Sequence, residues 1–180
     1  MGERGRVDEP DPAIVLAAKA GDLAAFEVLV RSYQAPVWRF LRHLVADAGL
    51  AEDVTQETFV RVHRALPRFD GRSRFTTWLF QVARNAGIDA LRARDRRDRL
   101  PSLAASPPSS PEERHELRAA LAALTPDLRE ALLAVEVLGL TYLEAARMIG
   151  VPEGTVKSRV HRARERLVGW LQAGEVTGEV

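Results

Sequence analysis

Apolar residues recur at helical spacing along most of the chain, and this pattern predicts its secondary structure. One helix is expected to begin after Asp22, whose carboxylate can cap the first turn. Its buried face is formed by Phe26, Leu29, Val30, Tyr33, Val37, Phe40, Leu41 and Leu44. Pro36 lies inside this helix without disturbing the spacing, so we expect a kink and not a stop. Two further helices are predicted, one over about residues 50–66 and one from Ser73 into the arginine-rich stretch that follows.

The second half of the chain is helical by the same criterion. Helices are predicted over residues 111–124, 126–138, 142–149 and 153–172. Between the halves lies "LPSLAASPPSSP", whose prolines and serines neither a helix nor a central strand tolerates. No run in either half alternates between polar and apolar with a period of two. The sequence therefore predicts an all-α fold of two small helical domains, an N-terminal bundle of about four helices (residues 11–99) and a C-terminal domain (112–173), joined by a Pro/Ser-rich linker (100–111).

The last two predicted helices have the pattern of a helix-turn-helix motif. Gly150 between them can adopt the left-handed conformation of a tight turn, and Ala146 is small enough for a second helix to cross closely. The second helix has an apolar stripe of Val156, Val160, Ala163, Leu167 and Leu171. Its opposite side is polar and largely basic, as a helix in the DNA major groove requires. We therefore predict a recognition face for duplex DNA, formed by Thr155, Lys157, Ser158, His161 and Arg162.

An ordinary solvated face on an amphipathic helix is the alternative interpretation of this polar side. Arg159 and Arg166 lie at its flank, where they would meet phosphate or solvent. The whole chain has a formal net charge of only +1, so its basic residues are concentrated locally. Local basic stripes on a nearly neutral protein favour binding of a polyanion at particular sites on the surface.

A mostly acidic stripe follows one side of the helix predicted over residues 50–66. Its members are Asp53, Gln56, Glu57 and Val60. An acidic surface would repel DNA, and the core does not need a valine on that side. The acidic stripe therefore suits a protein partner with a basic surface, with a solvated acidic face as the alternative.

The helix that begins near Ser73 has an aromatic and basic flank. This α-helical flank is formed by Trp78, Asn85, Asp89, Arg92 and Arg96. Such a set can stack on exposed bases and hold their phosphates, although Trp78 is equally compatible with the edge of the core. The preceding turn has the polar and aromatic groups to hold a base taken out of a duplex, or it is an ordinary interhelical turn. The residues of this turn that we select are Phe69, Asp70, Arg72 and Ser73.

Composition argues against several other classes of protein. The 180 residues include no cysteine, which excludes disulfides and thiolate zinc sites, and the four histidines show no metal-ligand spacing. No phosphate-binding glycine loop or cysteine nucleophile occurs, so we expect no enzyme, no cofactor and no metal. The N-terminus lacks the apolar core of a secretory signal, and no apolar run is long enough to span a bilayer. These features predict a cytoplasmic protein with no membrane insertion.

Three stretches in series resemble one family. "DVTQETFVRVHRAL", "RFDGRSRFTTWLFQVARNAGIDALRAR" and "LTPDLREALLAVEVLGLTYLEAARMIGVPEGTVKSRVHRARERL" resemble the bacterial RNA polymerase sigma factors of the extracytoplasmic-function class. The resemblance covers nearly the whole chain, with the stretches in the family's order and spacing. It implies a transcription initiation factor that binds core RNA polymerase and directs it to promoters.

The resemblance also gives each surface an expected role. The acidic stripe would bind the clamp helices of the core polymerase, through a domain like sigma region two. The 69–73 turn and the flank from Trp78 to Arg96 would recognise and melt the minus-ten promoter element. The helix-turn-helix, in a domain like sigma region four, would read the minus-thirty-five element as duplex. An anti-sigma factor is the further partner expected for this class.

A stand-alone helix-turn-helix transcription regulator with a helical sensor domain is the alternative function. That regulator would bind its promoter tightly by itself, usually as a dimer. A sigma factor would bind weakly alone and strongly only together with core polymerase.

Overall fold

The structure is a computed structural model that describes residues 7–98 and 119–175. The helices of the first range are α1 (Pro12–Lys19), α2 (Leu23–Val45), α3 (Ala48–Ala65), a 3₁₀ turn (Leu66–Arg68) and α4 (Phe75–Asp98). Those of the second range are α5 (119–123), α6 (Pro126–Leu132), a π-helical turn (Leu133–Val137), α7 (Tyr142–Ile149) and α8 (Glu153–Glu175). Neither range contains a strand, which confirms the predicted all-α class. The predicted linker, residues 100–111, and the start of the helix predicted at 111–124 lie outside the described residues.

Helix boundaries in the first half follow local capping chemistry. The Asp22 carboxylate accepts hydrogen bonds from the Ala24 and Ala25 amides at 2.8 and 3.1 Å, so α2 begins where predicted and continues through Pro36. Helix α4 begins two residues after the predicted start at Ser73. The sequence pattern did not locate α1, which begins at Asp11 and Pro12, an N-cap followed by a proline in the first turn.

Helices α2, α3 and α4 pack around the core of the first half. Phe40 and Phe80 are fully buried and meet edge to face, with ring centroids 5.7 Å apart. Gly87 lies where α4 crosses α2, and a Cβ atom there would stand 3.0 Å from Leu44 and 3.1 Å from Leu41. The close crossing therefore depends on a glycine at this position.

The second half has the predicted helix-turn-helix geometry. Helix α7 begins with a capping box in which Thr141 and Glu144 satisfy each other's backbone amides, and it ends at Gly150, whose φ is +81°. Val156, Val160 and Ala163 of α8 are fully buried against α6 and α7. Leu167 is half-buried, while the side chain of Leu171 lies outside the described part. The apolar stripe thus fixes which side of α8 faces water.

Candidate nucleic-acid and protein interfaces

The recognition face of α8 lies on the side of the helix away from the core. Lys157, His161 and Arg162 are exposed, and Thr155 and Ser158 are half-buried at their base. Arg162 donates a hydrogen bond to the Ser158 hydroxyl, and that hydroxyl donates to the Thr155 carbonyl at 2.9 Å. The structure therefore brings all five predicted residues to one continuous surface.

Ion pairs hold a side chain of the recognition face and a side chain at its flank in place. Lys157 pairs with Glu153 at 2.8 Å, and this hydrogen bond raises the pKa of the Lys157 ammonium. The same ammonium stands 5.7 Å from the centre of the Tyr142 ring. At the flank, Arg159 lies 3.5 Å from Asp127 of α6, so it is held against the domain and not projected from α8.

The acidic stripe on α3 is exposed along its whole length. Asp53, Gln56, Glu57 and Val60 all face solvent, and Val60 is 43% exposed. A shallow hollow of about 400 Å³ lies beside the stripe and is lined by Phe26, Gln56, Phe59, Val60, His63 and Arg64. Helical spacing assigned Phe26 to the core, but Phe26 and Phe59 are only half-buried and both help to form this apolar hollow. The stripe therefore borders a place where a partner could insert an apolar side chain.

Arg61 joins the acidic stripe to the α4 flank, a link that the sequence analysis did not find. Its guanidinium donates to Glu57 and to Asp89, each at 2.8 Å. The hydrogen bond to Glu57, followed in size by the hydrogen bond to Asp89, raises the pKa of the Arg61 guanidinium. Residues on adjacent helices thus connect the two surfaces through one side chain.

The 69–73 turn closes over an aromatic cluster of Phe69, Phe75 and Trp78. The ring centroids of this cluster are 5.0 to 6.0 Å apart. Trp78 is half-buried there, so part of its surface is packed and part faces solvent. A half-buried position is compatible with both interpretations of Trp78, as part of the edge of the core and as a surface on which a base can stack.

A hollow of about 520 Å³ lies between the 69–73 turn and the N-terminal segment. Its lining includes Glu9, Leu16, Lys19, Phe69, Asp70, Ser73 and Arg74. Lys19 of α1 donates to the Phe69 carbonyl at 2.5 Å and fixes the turn from outside. No local signal in the sequence indicates that Glu9 or Lys19 belongs to this site, because both reach it only through the fold. The volume falls within the range of small-ligand pockets.

The polar residues of the α4 flank line up as predicted. Asn85, Asp89, Arg92 and Arg96 are all exposed along one side of the helix. At the turn, Asp70 accepts a hydrogen bond from the Arg72 amide at 3.1 Å and pairs with its guanidinium at 3.2 Å. The turn and the flank therefore form one surface at the start and along the side of α4.

In the part of the chain that the structure describes, no cluster of His, Asp or Glu side chains could hold a metal ion. Within the same ranges, no helix combines the length and apolar character that a bilayer crossing demands.

Comparison with known proteins identifies the family. Residues 29–97 match the family model for sigma-70 region 2, and residues 114–167 match that for sigma-70 region 4. The chain is 40% identical to the extracytoplasmic-function RNA polymerase sigma factor SigC of Mycobacterium tuberculosis, over 95% of this chain and 96% of that protein. It is 37% identical to the RNA polymerase sigma-H factor of Pseudomonas aeruginosa, over 91% and 95% of the two chains.

Two solved structures share the fold. One is CnrH in complex with the cytosolic domain of CnrY, with a TM-score of 0.73, 28% identity and coverage of 89% of this chain and 96% of that one. The other is the sigma factor RpoE in complex with the anti-sigma factor NepR from Bartonella quintana, with a TM-score of 0.71, 29% identity and coverage of 82% and 96%.

The chain therefore belongs to the RNA polymerase sigma factors, and within them to the extracytoplasmic-function class. It is a transcription initiation factor, which confirms the family and the main function predicted from the sequence. The comparisons support this function over the stand-alone regulator. The roles of individual residues stay predictions.

Proposed function

We propose that this sigma factor divides promoter recognition between its two halves while α3 docks on core RNA polymerase. The N-terminal domain, residues 11–99, would capture the melted minus-ten strand, and the C-terminal domain, residues 112–173, would read the minus-thirty-five duplex. The observation that carries this proposal is that every predicted contact residue except Trp78, Ser73, Thr155, Ser158 and Phe69 is exposed, and these five are half-buried and not enclosed.

Reading of the duplex is assigned to the recognition face of α8. A helix backed by a buried apolar stripe enters the major groove as a rigid unit, with its first turns nearest to the bases. Arg162 and Lys157 can bind base edges or phosphates, and one good bidentate base contact contributes about 1–3 kcal/mol of discrimination. Phosphate contacts make the affinity fall as salt rises.

Capture of the melted strand is assigned to the hollow beside the 69–73 turn and to the α4 flank. Extruding one base costs a few kcal/mol, and stacking on an aromatic side chain returns about 1–3 kcal/mol. The cost of extruding a base and the gain from stacking it nearly balance, so neither half of the protein needs high affinity for DNA alone. Tethering both halves to one polymerase raises the effective concentration of the second contact.

Docking on core polymerase is assigned to the acidic stripe. Exposed carboxylates at Asp53 and Glu57 suit a basic partner surface, and Val60 with the hollow beside it offers an apolar contact at the same place. This combination of charge and apolar area is typical of a specific interface and not of a merely solvated helix.

The proposal assigns no chemical step to this chain. Nucleotidyl transfer belongs to the polymerase, so the protein acts as a specificity factor and not as an enzyme. Because it works with polymerase on chromosomal DNA, it acts in the cytoplasm. One solved relative is bound by an anti-sigma factor, and we include an anti-sigma factor among the partners of this chain.

Run-off transcription with purified core polymerase on a library of promoter fragments tests the proposal. Transcripts should start at a defined subset of fragments only when this protein is added. The purified protein alone should bind those fragments weakly. Tight binding without core polymerase, or failure to associate with core polymerase at all, would contradict it.

A further inference from the structure

Helix α1 contributes a lysine to the hollow at the 69–73 turn, and the proposed function gives this lysine no role. Lys19 is the last residue of α1, and its ammonium donates a hydrogen bond to the Phe69 carbonyl at 2.5 Å. We propose that Lys19 is a specificity residue of this hollow, which positions the turn and donates to a carbonyl oxygen of the captured base. This inference rests on the proposed function, because it names the class of base that the same hollow selects.

One side of α1 forms a wall of the hollow. Pro12, Leu16 and Lys19 follow one another at i, i+4 and i+7, which places them on the same side of the helix, and all three line the hollow. Val15 and Ala18 are buried and hold α1 against the bundle. Leu16 is 66% exposed, so the core does not account for it. An apolar side chain at this place gives the hollow a surface against which a flat base can pack.

Lys19 carries the unpaired charge of this hollow. The charged residues that line it are Glu9, Lys19, Asp70 and Arg74. Glu9 pairs with Arg74, and Asp70 pairs with Arg72, whereas Lys19 forms no ion pair with any residue that the structure describes. Its hydrogen bond goes to a neutral carbonyl, so the charge of the half-buried ammonium is not neutralised. An ammonium has three N–H donors, and an acceptor atom on a ligand could use those that the Phe69 carbonyl does not.

The hollow suits a base better than a phosphate. Its lining includes the apolar side chains of Val15, Phe69 and Phe75, and its two carboxylates, Glu9 and Asp70, would repel a phosphate group. A base presents uncharged faces to such a lining and a polar edge to the ammonium. The ligand of Lys19 is therefore an acceptor atom on the edge of a captured base.

An ammonium donor distinguishes bases by their carbonyl oxygens. Guanine, thymine and cytosine each have at least one carbonyl oxygen, whereas adenine has none and presents an amino group instead. Lysine accordingly pairs with guanine in duplex recognition, and one good contact of this kind changes affinity by about 5- to 150-fold relative to the wrong base. Lys19 should therefore favour a base with a carbonyl oxygen over adenine.

The same side chain positions the turn. Phe69 is the first residue of the turn and packs on Trp78, with ring centroids 5.0 Å apart. The hydrogen bond from Lys19 joins this residue to α1 across 50 positions of the sequence. The width of the hollow between α1 and the turn therefore depends on Lys19. Lys19→Arg keeps the charge and N–H donors, whereas Lys19→Met keeps only a side chain of similar length.

Binding of the holoenzyme to premelted probes tests the inference. The nucleotides of a premelted minus-ten strand are replaced one at a time by an abasic residue, and the position with the largest loss of affinity is that of the captured base. At this position, the wild-type holoenzyme should bind the best of the three carbonyl bases about 5- to 150-fold more tightly than adenine. Lys19→Met should reduce this preference to less than about twofold, and Lys19→Arg should keep most of it.

An abasic probe and the variant Arg39→Met are the controls. Lys19→Met should bind the abasic probe as wild type does, because the contact that it removes is made to the base. Arg39 is an exposed cation of α2 outside this hollow, and its loss should leave the base preference unchanged. A wild-type preference for adenine, a preference unchanged by Lys19→Met, or an equal loss on the abasic probe would overturn the inference while leaving base capture itself in place. If no position of the strand is sensitive to loss of its base, the proposed capture fails as well.

Discussion

The two candidate DNA surfaces of this sigma factor are built in different ways. The recognition face is the convex side of one helix, and it rests on Val156, Val160 and Ala163, which are fully buried. The hollow at the 69–73 turn is concave and is assembled from the N-terminal segment, α1 and the start of α4. A convex helix fits the groove of an intact duplex, whereas a hollow beside aromatic rings fits a single unpaired base.

Substitutions on the two surfaces should therefore have different effects on DNA affinity and on stability. The recognition face depends on one helix staying folded, so exposed substitutions on it should change DNA affinity and little else. The hollow depends on contacts between distant segments, such as Lys19 with the Phe69 carbonyl, so changes there should affect affinity and stability together. Under the proposed function both surfaces would act while the protein is docked on core polymerase, so a loss of docking at the acidic stripe would affect both.

The largest effect is expected from Asp53→Arg, which should remove the function of both DNA surfaces at once. A positive charge in the acidic stripe would repel a basic partner, while the exposed position leaves the fold intact. Run-off transcription and binding to core polymerase should be lost, with an unchanged circular dichroism melting curve. Asp53 is preferable to Glu57, because reversal at Glu57 would also break the pair with Arg61.

Glu52→Arg is the matched control for that variant. Glu52 is an exposed neighbour on α3 outside the stripe, and it undergoes the same change of charge. It should retain polymerase binding. Wild-type polymerase binding by Asp53→Arg would remove the assigned role of the stripe.

Trp78→Ala tests the aromatic cluster beside the concave surface separately from the convex recognition face. Loss of the indole should weaken binding of holoenzyme to a premelted minus-ten strand by about 1–3 kcal/mol, because one stacking partner is removed. It should also lower the melting temperature, since Trp78 packs on Phe69 and Phe75. Fluorescence anisotropy with premelted and duplex probes measures both affinities. A lower melting temperature with unchanged affinity for the premelted strand would assign Trp78 to the core alone.

The contrast between the two surfaces also explains what the sequence could predict. Helical periodicity separates the buried and exposed sides of one helix, so the stripe of α8 and its recognition face followed from spacing alone. The same rule located α2, α3 and α4 to within a few residues. It found no boundary for α1, where Ile14, Val15 and Leu16 are consecutive and Leu16 is 66% exposed.

Long-range polar contacts had no signal in the sequence. Lys19, Glu9 and Arg61 reach their partners only after distant helices have packed, and spacing along one helix says nothing about such partners. The members of the turn and the flank were therefore predicted as separate candidates, while the hollow that the turn forms with α1 and the N-terminal segment was not predicted.

Arg162→Ala should weaken the convex surface selectively. Loss of one base or phosphate contact should reduce holoenzyme binding to the minus-thirty-five duplex by about 1–3 kcal/mol and leave a premelted minus-ten strand bound as before. Arg166→Ala, also exposed but at the flank, is the matched control and should cost less, without dependence on sequence. Equal loss on both probes would show that Arg162 does not belong to the recognition face.

A pair of glycine substitutions should move the stability of the two halves in opposite directions. Gly87→Ala places a Cβ atom 3.0 Å from Leu44 at the crossing of α4 and α2 and should destabilise the protein by about 1–3 kcal/mol. Gly169→Ala in α8 meets no atom within 4 Å and should stabilise that helix by up to about 1 kcal/mol. Urea unfolding measures both changes. Destabilisation by Gly169→Ala would show that α8 ends before that residue in solution.

The smallest effect is expected from Glu144→Gln, which tests whether charge or hydrogen bonding supports the first helix of the helix-turn-helix. Glutamine can keep the capping box with Thr141 but loses the attraction to Arg74. At neutral pH the variant should be less stable by no more than about 1 kcal/mol, because a partly exposed ion pair contributes little.

The change with pH in the stability difference between wild type and Glu144→Gln shows whether the Glu144 charge stabilises the fold. The pKa of Glu144 is lowered in the folded protein, so its ionised form stabilises the fold above the pKa of an unfolded glutamate, and this contribution is lost as pH falls through the lowered value. The stability of wild type and Glu144→Gln should therefore converge in urea titrations carried from neutral pH down to about pH 3, below the ordinary carboxyl range. A difference that stays constant over this range would mean that the Glu144 charge has no part in holding α7, and that the capping hydrogen bonds alone support this first helix of the helix-turn-helix.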